Sequence, residues 1–515
     1  MNKLGSVSII ALLLLAASSL TIDQNISKGQ PPSLVIISPH PDSIKNEFKA
    51  AFRDYYNNTY GTDVNVQWID EGGTSSDLAY IESNFAKTPD NIKIDLFYGG
   101  GVDPYIKLAG EGLLVPYKLS DEELALIPNN ISGIPMYDAQ YRWYGAALSG
   151  FGIVYNKAVI QAEGLPTPNT WEDLTLPTDK GWVGSADPRQ SGSTHMAYEI
   201  MMQGYGWDNG WRVATLLGAN CKNFPLSSGD IPTAVGAGDL AFGLAIDYYA
   251  WSQVAARGAD KIGYVMPTGL TVVNPDSIAI LKGAPDLEVA QRFVSFVLSK
   301  QGQKLLMLPV GDPEGPKKQL LGRLCVIPEL YDELGSRSVV PFNPFQMTTT
   351  LHYNATKGSI RYTVLNDLIG AMIIDEHDNL VAAWTNIISV NQTLNSAGVT
   401  SPRIQEAINM LSATPVTESE LEVLAANWSD PQFRNTYIKE WHSFAEQKYT
   451  NATGLARLAS IELVTTFQTE MSQLRTTAQN NLYMGIGGGF VIGIIVGLAV
   501  SLFSRRRREL AAVKK

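Results

Sequence analysis

Catalytic signatures are missing from this sequence of 515 residues. It contains no HExxH, GxSxG, P-loop or CxxC spacing, and its five histidines are scattered at His40, His195, His352, His377 and His442. Metalloproteases, serine hydrolases, nucleotide hydrolases and thiol oxidoreductases each depend on one of those spacings. The sequence therefore does not predict an enzyme, and a hydrolytic set of dispersed Asp, His and Ser side chains stays a rival hypothesis.

Cysteine and positive charge are also scarce. Cys221 and Cys325 are the only cysteines, which permits either one bridge outside the cell or two buried thiols. The formal net charge is −11, from 39 basic and 50 acidic residues. Because neutralising a phosphate backbone needs a basic face, nucleic acid is not an expected partner.

Two long apolar runs lie at the ends of the chain. Residues 1–20 have the form of a secretory signal peptide, with Lys3 ahead of an apolar run and small residues near its end. Residues 484–503 are uncharged and apolar over the length of a helix that crosses a bilayer, about 20 residues. Arginines at 505–508 follow at once and indicate the cytoplasmic side.

These ends predict a single-pass protein of the cell membrane, attached through its C-terminal helix. Its ectodomain would be extracellular, and residues 504–515 would form a cytoplasmic tail. Seven N-x-[ST] sequons agree with an exported glycoprotein and lie at Asn25, Asn57, Asn130, Asn354, Asn391, Asn427 and Asn451.

Between the ends, short apolar runs alternate with helical periodicity, which predicts an α/β fold. Predicted strands include 34–37, 64–68, 94–98, 153–155, 240–246 and 277–281, with helices such as 44–55 and 287–298 between them. After about Cys325 the helical patterns dominate, as at 404–411, 419–426 and 455–474. We expect a mainly helical extension or stalk over residues 326–480, packed on the second of two lobes.

Four loops are rich in small and hydroxyl-bearing residues: 38–41, 72–76, 99–101 and 187–194. Three of them follow predicted strands, and the fourth precedes an apparent helix. Loops at strand carboxyl ends line crevices in open α/β sheets, where free N–H groups and hydroxyls suit an anion. Residues 247–249, Asp-Tyr-Tyr, follow another strand, and adjacent phenols either form hydrogen bonds or bind a hard metal when deprotonated. Ordinary turns and buried aromatic packing are the alternatives.

Six segments occur in register across residues 33–328: LVIISPHP at 34–41, DLFYGG at 95–100, GIVYNK at 152–157, PNTWEDL at 168–174, DP at 187–188 and SKQGQ at 299–303. In this order they resemble the family 1 extracellular solute-binding proteins of ABC importers. The similar branch of that family binds ferric iron, phosphonates and sugar phosphates.

The resemblance implies a type II periplasmic-binding-protein fold, in which two lobes joined by a hinge of two crossing strands close on a ligand. Lobe 1 would take residues 33–147 and 270–325, and lobe 2 residues 150–265. The helical extension and one transmembrane helix, an anchor of archaeal type, would follow.

The function implied is capture of a small anionic solute, bearing phosphate or phosphonate, outside the cell. Delivery would be to the membrane subunits of an ABC importer, without a cofactor. A surface or adhesion protein that needs no ligand remains an alternative.

The predicted ligand site draws on both lobes and consists of Ser38, His40, Gly73, Thr74, Ser75, Gly100, Ser191, Ser193, Asp247, Tyr248 and Tyr249. In iron-binding members a tyrosine pair of the second lobe holds the metal, and Tyr248 and Tyr249 match that pair by position. Ferric iron held by this pair with His40 and Glu71 is therefore the alternative ligand. The spacing after His40 departs from the iron pattern, which favours the anion.

Overall fold

The apolar runs form eleven strands, nine of which pair into one mixed sheet. The computed structural model describes residues 31–347 and 349–483. The strands are β1 Ser33–Ile37, β2 Asn65–Ile69, β3 Leu96–Tyr98, β4 Leu114–Val115, β5 Asn130–Ile131, β6 Ile134–Pro135, β7 Tyr144–Asn156, β8 Val183–Gly184, β9 Phe242–Ile246, β10 Ile262–Val265 and β11 Val273–Leu281.

Two long strands, β7 and β11, run through the middle of this sheet. The order is β2-β1-β3-β11-β7-β9-β8, with β4 added on β11 and β10 on β7. The first part of β7 pairs antiparallel with β11, whereas Phe151–Tyr155 pair with β9 and β10. We name the elements packed on β1–β4 lobe 1 and those packed on β8–β10 lobe 2. The exact lobe boundaries stay a prediction.

Helices cover the sheet by burying apolar stripes, as helix Leu287–Leu298 does with Phe293 and Val297. The α-helices that precede residue 350 are α1 Asp42–Tyr60, α2 Thr74–Lys87, α3 Val102–Gly110, α4 Asp121–Leu124, α5 Lys157–Glu163, α6 Gly192–Tyr205, α7 Trp207–Asn220, α8 Asp230–Ala237, α9 Asp247–Arg257, α10 Leu287–Leu298, α11 Lys300–Met307 and α12 Glu329–Leu334.

Residues after 350 form a helical extension. Its helices are α13 Ala355–Ile369, α14 His377–Ser396, α15 Pro402–Leu411, α16 Glu418–Ala425 and α17 Pro431–Tyr483, with a π-helical turn at Gly370–Ile374. Alanines at 445, 452, 456 and 459 are buried where α17 packs closely on α14 and α15. The extension shares one continuous core with lobe 2, and the Trp384 indole donates to the Asn220 side chain at 2.9 Å.

No helix within residues 31–347 or 349–483 is both long enough and apolar enough to cross a membrane. The longest, α17, carries exposed Glu470 and Arg475 along its outer turns. This finding corrects the predicted location as a single-pass membrane protein with an anchor of archaeal type. The predicted signal peptide at 1–20, spanning segment at 484–503 and tail at 504–515 lie outside the described residues.

The two cysteines form no bridge. Cys221 and Cys325 are both free and buried. Burial raises the pKa of Cys325 to about 12, so it stays a thiol at neutral pH. Of the two alternatives that the sequence left open, the structure has the pair of buried thiols.

Candidate functional site

A cavity of about 90 Å³ lies between the lobes, where six helices begin. Its walls include residues just before or within the first turns of α1, α2, α3, α6, α8 and α9, among them His40, Thr74, Gly101, Ser193, Ser228 and Tyr248. The first N–H groups of a helix have no partner within the helix, and its dipole places partial positive charge there. None of the described lining residues is a lysine or an arginine.

Most of the predicted ligand residues line this cavity: His40, Gly73, Thr74, Gly100, Ser191, Ser193, Tyr248 and Tyr249. Four others lie outside the lining set. Ser38 supports His40, whose Nδ1 lies 3.1 Å from its hydroxyl. Ser75 donates to the carbonyl of Pro188 at 2.9 Å, and Asp247 accepts from the backbone N–H of Gly150 at 2.8 Å. Glu71, predicted for the iron alternative, does not line the cavity either.

The lobes touch each other along one rim of the cavity. The N–H of Ser75, at the start of α2, donates to the carbonyl of Gln190 in lobe 2 at 3.2 Å. Gly73 lies in the positive-φ region at +146°, and a Cβ there would be 2.4 Å from the same carbonyl oxygen. Glycine permits this close approach, and the structure therefore has the two lobes closed on each other.

A buried ionic network lies behind His40. The Arg323 guanidinium donates to Asp276 and, at 2.9 Å, to the Ser149 hydroxyl, while His40 Nε2 is 3.0 Å from the Asp276 carboxylate. Burial alone would raise the pKa of Asp276, but Arg323 and His40 outweigh it and hold it at about 2. Burial lowers the pKa of His40 despite Asp276. The network is a neutralised pair rather than a free cation.

The tyrosine pair stands at the start of α9. The rings of Tyr248 and Tyr249 have centroids 4.3 Å apart, and the Arg323 guanidinium lies 4.5 Å from the centre of the Tyr248 ring. Burial raises the pKa of both phenols, that of Tyr248 well above its ordinary value. Both hydroxyls are therefore protonated unless a cation displaces their protons.

Sequence reasoning missed a second set of lining residues: Asp103, His195, Asn274, Asp276 and Tyr362. Asp103 follows the glycine run at 99–101 by two positions, and Asn-Pro-Asp at 274–276 interrupts an apolar strand, so both carried a local signal. Tyr362 carried none, because it belongs to the extension and reaches the cavity only through the packing of α13.

Comparisons with known proteins bear on this fold and cavity. Residues 91–311 match the family model described as bacterial extracellular solute-binding protein. The phosphoglycerate transport regulatory protein PgtC of Salmonella typhimurium is 28% identical over 160 residues, which are 31% of this chain and 39% of that protein. The chain thus matches well under half the length of this curated relative.

Two solved structures share the architecture. The periplasmic binding protein AfuA from Actinobacillus pleuropneumoniae, with exogenous fructose-6-phosphate bound, has a TM-score of 0.51 at 21% identity, covering 68% of this chain and 97% of that one. The apo ferric ion-binding protein A of Pasteurella haemolytica has a TM-score of 0.50 at 15% identity, covering 65% and 96%. Over residues 91–311 the chain matches the bacterial extracellular solute-binding proteins, and its α/β architecture is the periplasmic-binding-protein fold.

Proposed function

We propose that this chain is the extracellular binding component of an ABC importer and that it captures a small anionic solute bearing phosphate or phosphonate. The observation that carries this proposal is the convergence of six helix N-termini on one cavity between two lobes. Such termini bind anions through backbone N–H groups without a charged side chain. A match to solute-binding proteins over residues 91–311 supports the transport role.

The contacts across the cleft support closure on a ligand. Ser75 and Gln190 come from different lobes, and their hydrogen bond exists only while the lobes are together. A ligand that touches residues of both lobes, such as Thr74 and Ser193, binds the closed form better and shifts the population toward it. The expected solute is therefore small enough to be enclosed.

Ferric iron remains the second candidate, favoured by the adjacent phenols of Tyr248 and Tyr249 in the cavity wall. Two features weigh against it. Both ring nitrogens of His40 already face partners, Ser38 and Asp276. Burial raises the pKa of both phenols, so their deprotonation to bind iron costs free energy.

Calorimetric titration of the purified chain tests the proposal with three probes: inorganic phosphate, fructose 6-phosphate and ferric citrate. We expect heat on adding a phosphate compound and no visible charge-transfer band with iron. Binding of ferric iron with such a band, and of neither phosphate compound, would reverse the order of the candidates.

Tyr248→Phe separates the two ligands further. For an anion the change removes about one hydrogen bond, roughly 0.5–1.5 kcal/mol, so binding weakens but persists. For iron it removes a metal ligand and abolishes tight binding. Tyr144→Phe is the matched control, because the Tyr144 hydroxyl donates to the carbonyl of Tyr117 at 2.7 Å and does not line the cavity.

A further inference from the structure

The helical extension supplies part of the cavity wall. Tyr362 of α13 lines the cavity, its hydroxyl lies 2.9 Å from the Ser75 hydroxyl, and its ring centre is 3.8 Å from that of His195. The family match ends at residue 311, so this wall comes from a part of the chain outside that match.

Hydrogen-bond directions decide what this wall offers to a ligand. The Ser75 hydroxyl gives its proton to the carbonyl of Pro188, so the Tyr362 hydroxyl donates to Ser75 and keeps only acceptor capacity toward the cavity. His195 Nδ1 lies 2.7 Å from the side-chain oxygen of Asn366 and therefore carries the proton, which leaves Nε2 as a bare acceptor.

Two more unpartnered oxygens complete the set. Asp103 Oδ1 and Asn274 Oδ1, like His195 Nε2, have no hydrogen-bond partner among the residues that the structure describes. Each of these three side chains belongs to a residue only 1% exposed, and all three residues line the cavity. Buried acceptors without a donor are unfavourable, and a ligand that brings donors relieves them.

We infer that this acceptor wall, formed by Asp103, His195, Asn274 and Tyr362, binds the hydroxyl groups of a polyhydroxylated phosphate ester. The inference rests on the proposed function, since the phosphate is assigned to the N-termini of the helices. An anion would be repelled by the lone pairs of the wall, so the two ends of the cavity orient the ester.

The charge states of the wall favour hydroxyl groups over an ammonium group. Burial raises the pKa of Asp103 well above its ordinary value, even though the Tyr353 hydroxyl donates to its carboxyl group. Burial also lowers the pKa of His195 to about 4, so its imidazole is neutral near pH 7. With Oδ2 accepting from Tyr353, the protonated Asp103 carboxyl can donate through Oδ1 as well as accept, which a ligand hydroxyl group can match and an ammonium group cannot.

The extension holds Tyr362 in place through a buried ion pair. Arg361, the preceding residue, donates to Glu199 of α6 at 2.7 Å, and both side chains are 0% exposed. Gly358, one turn earlier, lets Asp103 approach, because a Cβ there would be 2.5 Å from its Oδ2. The position of the wall thus depends on α13 packing against both lobes.

Calorimetry with matched esters tests the inference on the full chain. Glycerol 3-phosphate is compared with n-propyl phosphate, and sorbitol 6-phosphate with n-hexyl phosphate, because each pair differs only in hydroxyl groups. We expect the hydroxylated member of at least one pair to bind at least about tenfold tighter, as for a site built to hydrogen-bond hydroxyls. Tyr362→Phe and Asn274→Leu should each reduce that ratio, because they weaken binding of the hydroxylated ester more than binding of the alkyl phosphate.

Tyr449→Phe is the matched control, since it removes a buried phenol hydroxyl of the extension that does not line the cavity. Equal affinities within both pairs would overturn the inference and leave the proposed function standing. Failure of inorganic phosphate and all esters to bind would overturn both. Tighter binding of 3-aminopropyl phosphate than of glycerol 3-phosphate would show that the wall binds an ammonium group rather than hydroxyl groups, which would overturn the inference.

Discussion

At the scale of single residues, burial sets the charge state of the groups around the cavity. Burial lowers the pKa of His195 to about 4 and raises that of Asp103 well above its ordinary value, whereas Arg323 and His40 hold the pKa of Asp276 at about 2. The pKa values of these two buried carboxyls shift in opposite directions. Burial alone raises the pKa of a carboxyl, and a cation within hydrogen-bond distance lowers it. Asp276 and His195 should therefore each contribute to the pH dependence of the free energy of unfolding.

The contribution at acidic pH belongs to Asp276. Its pKa is about 2 in the folded chain against an ordinary 3.8, so it contributes stability above pH 4 that is lost as the pH falls toward 2. The contribution is about 2 kcal/mol. Urea unfolding between pH 5 and pH 2 should show this loss in the wild type and a smaller one in Asp276→Asn. Identical pH slopes in the two proteins would contradict the prediction.

The second contribution belongs to His195. Burial lowers its pKa from 6.5 to about 4, so the unfolded chain takes up the proton first as the pH falls. Stability is then complete above pH 6.5 and decreases toward pH 4, by about 3 kcal/mol. We expect His195→Gln to flatten the free energy of unfolding between pH 7 and pH 5. His352→Gln, at an exposed position, controls for the loss of an imidazole.

At the scale of elements, one buried ion pair contributes to the attachment of the extension to lobe 2, beside their shared core. Arg361→Met would leave the Glu199 carboxylate without its cation in a site that is 0% exposed. Removing one partner of a buried pair typically costs about 3–5 kcal/mol. Denaturant unfolding should show that loss, with α13 detaching first by hydrogen exchange.

Arg403→Met is the matched control for this experiment. Arg403 binds Glu462 at 2.7 Å with 36% of its side chain exposed, and exposed pairs contribute less than about 1 kcal/mol. A similar loss of stability in both variants would show that the buried Arg361 pair contributes no more to stability than an exposed pair does.

Local sequence patterns were sufficient to predict the bounds of some elements and not of others. Helix Leu287–Leu298 has the predicted bounds because its buried stripe has helical spacing. Strand β7 was predicted only over 153–155, although it has 13 residues, because glycines at 145, 150 and 152 interrupt its apolar run. At Gly152 a Cβ would lie 2.2 Å from the carbonyl oxygen of Val265, so close strand pairing requires glycine there.

At the scale of the whole molecule, closure of the lobes depends on Gly73. Gly73→Ala places a methyl group 2.4 Å from the Gln190 carbonyl, which only separation of the lobes or a local shift would relieve. We expect at least about tenfold weaker ligand binding and a larger radius of gyration with ligand present, by calorimetry and small-angle X-ray scattering.

Gly72→Ala is the matched control. Gly72 also has a positive φ, +96°, but a Cβ there would meet nothing within 4 Å. Both variants therefore carry backbone strain, and only Gly73→Ala carries the clash between lobes. If both weaken binding equally, closure does not depend on this contact.

The sequence by itself predicted six of the strands in whole or in part, the helical extension and most of the polar loops, because periodicity and strand-end chemistry are properties of neighbouring residues. Only the tertiary structure decided which loops meet. His40 faces Arg323 across 283 positions, and Ser75 meets Tyr362 across 287. No local pattern encodes such pairs, since they form only when the sheet and α13 pack together and bury them.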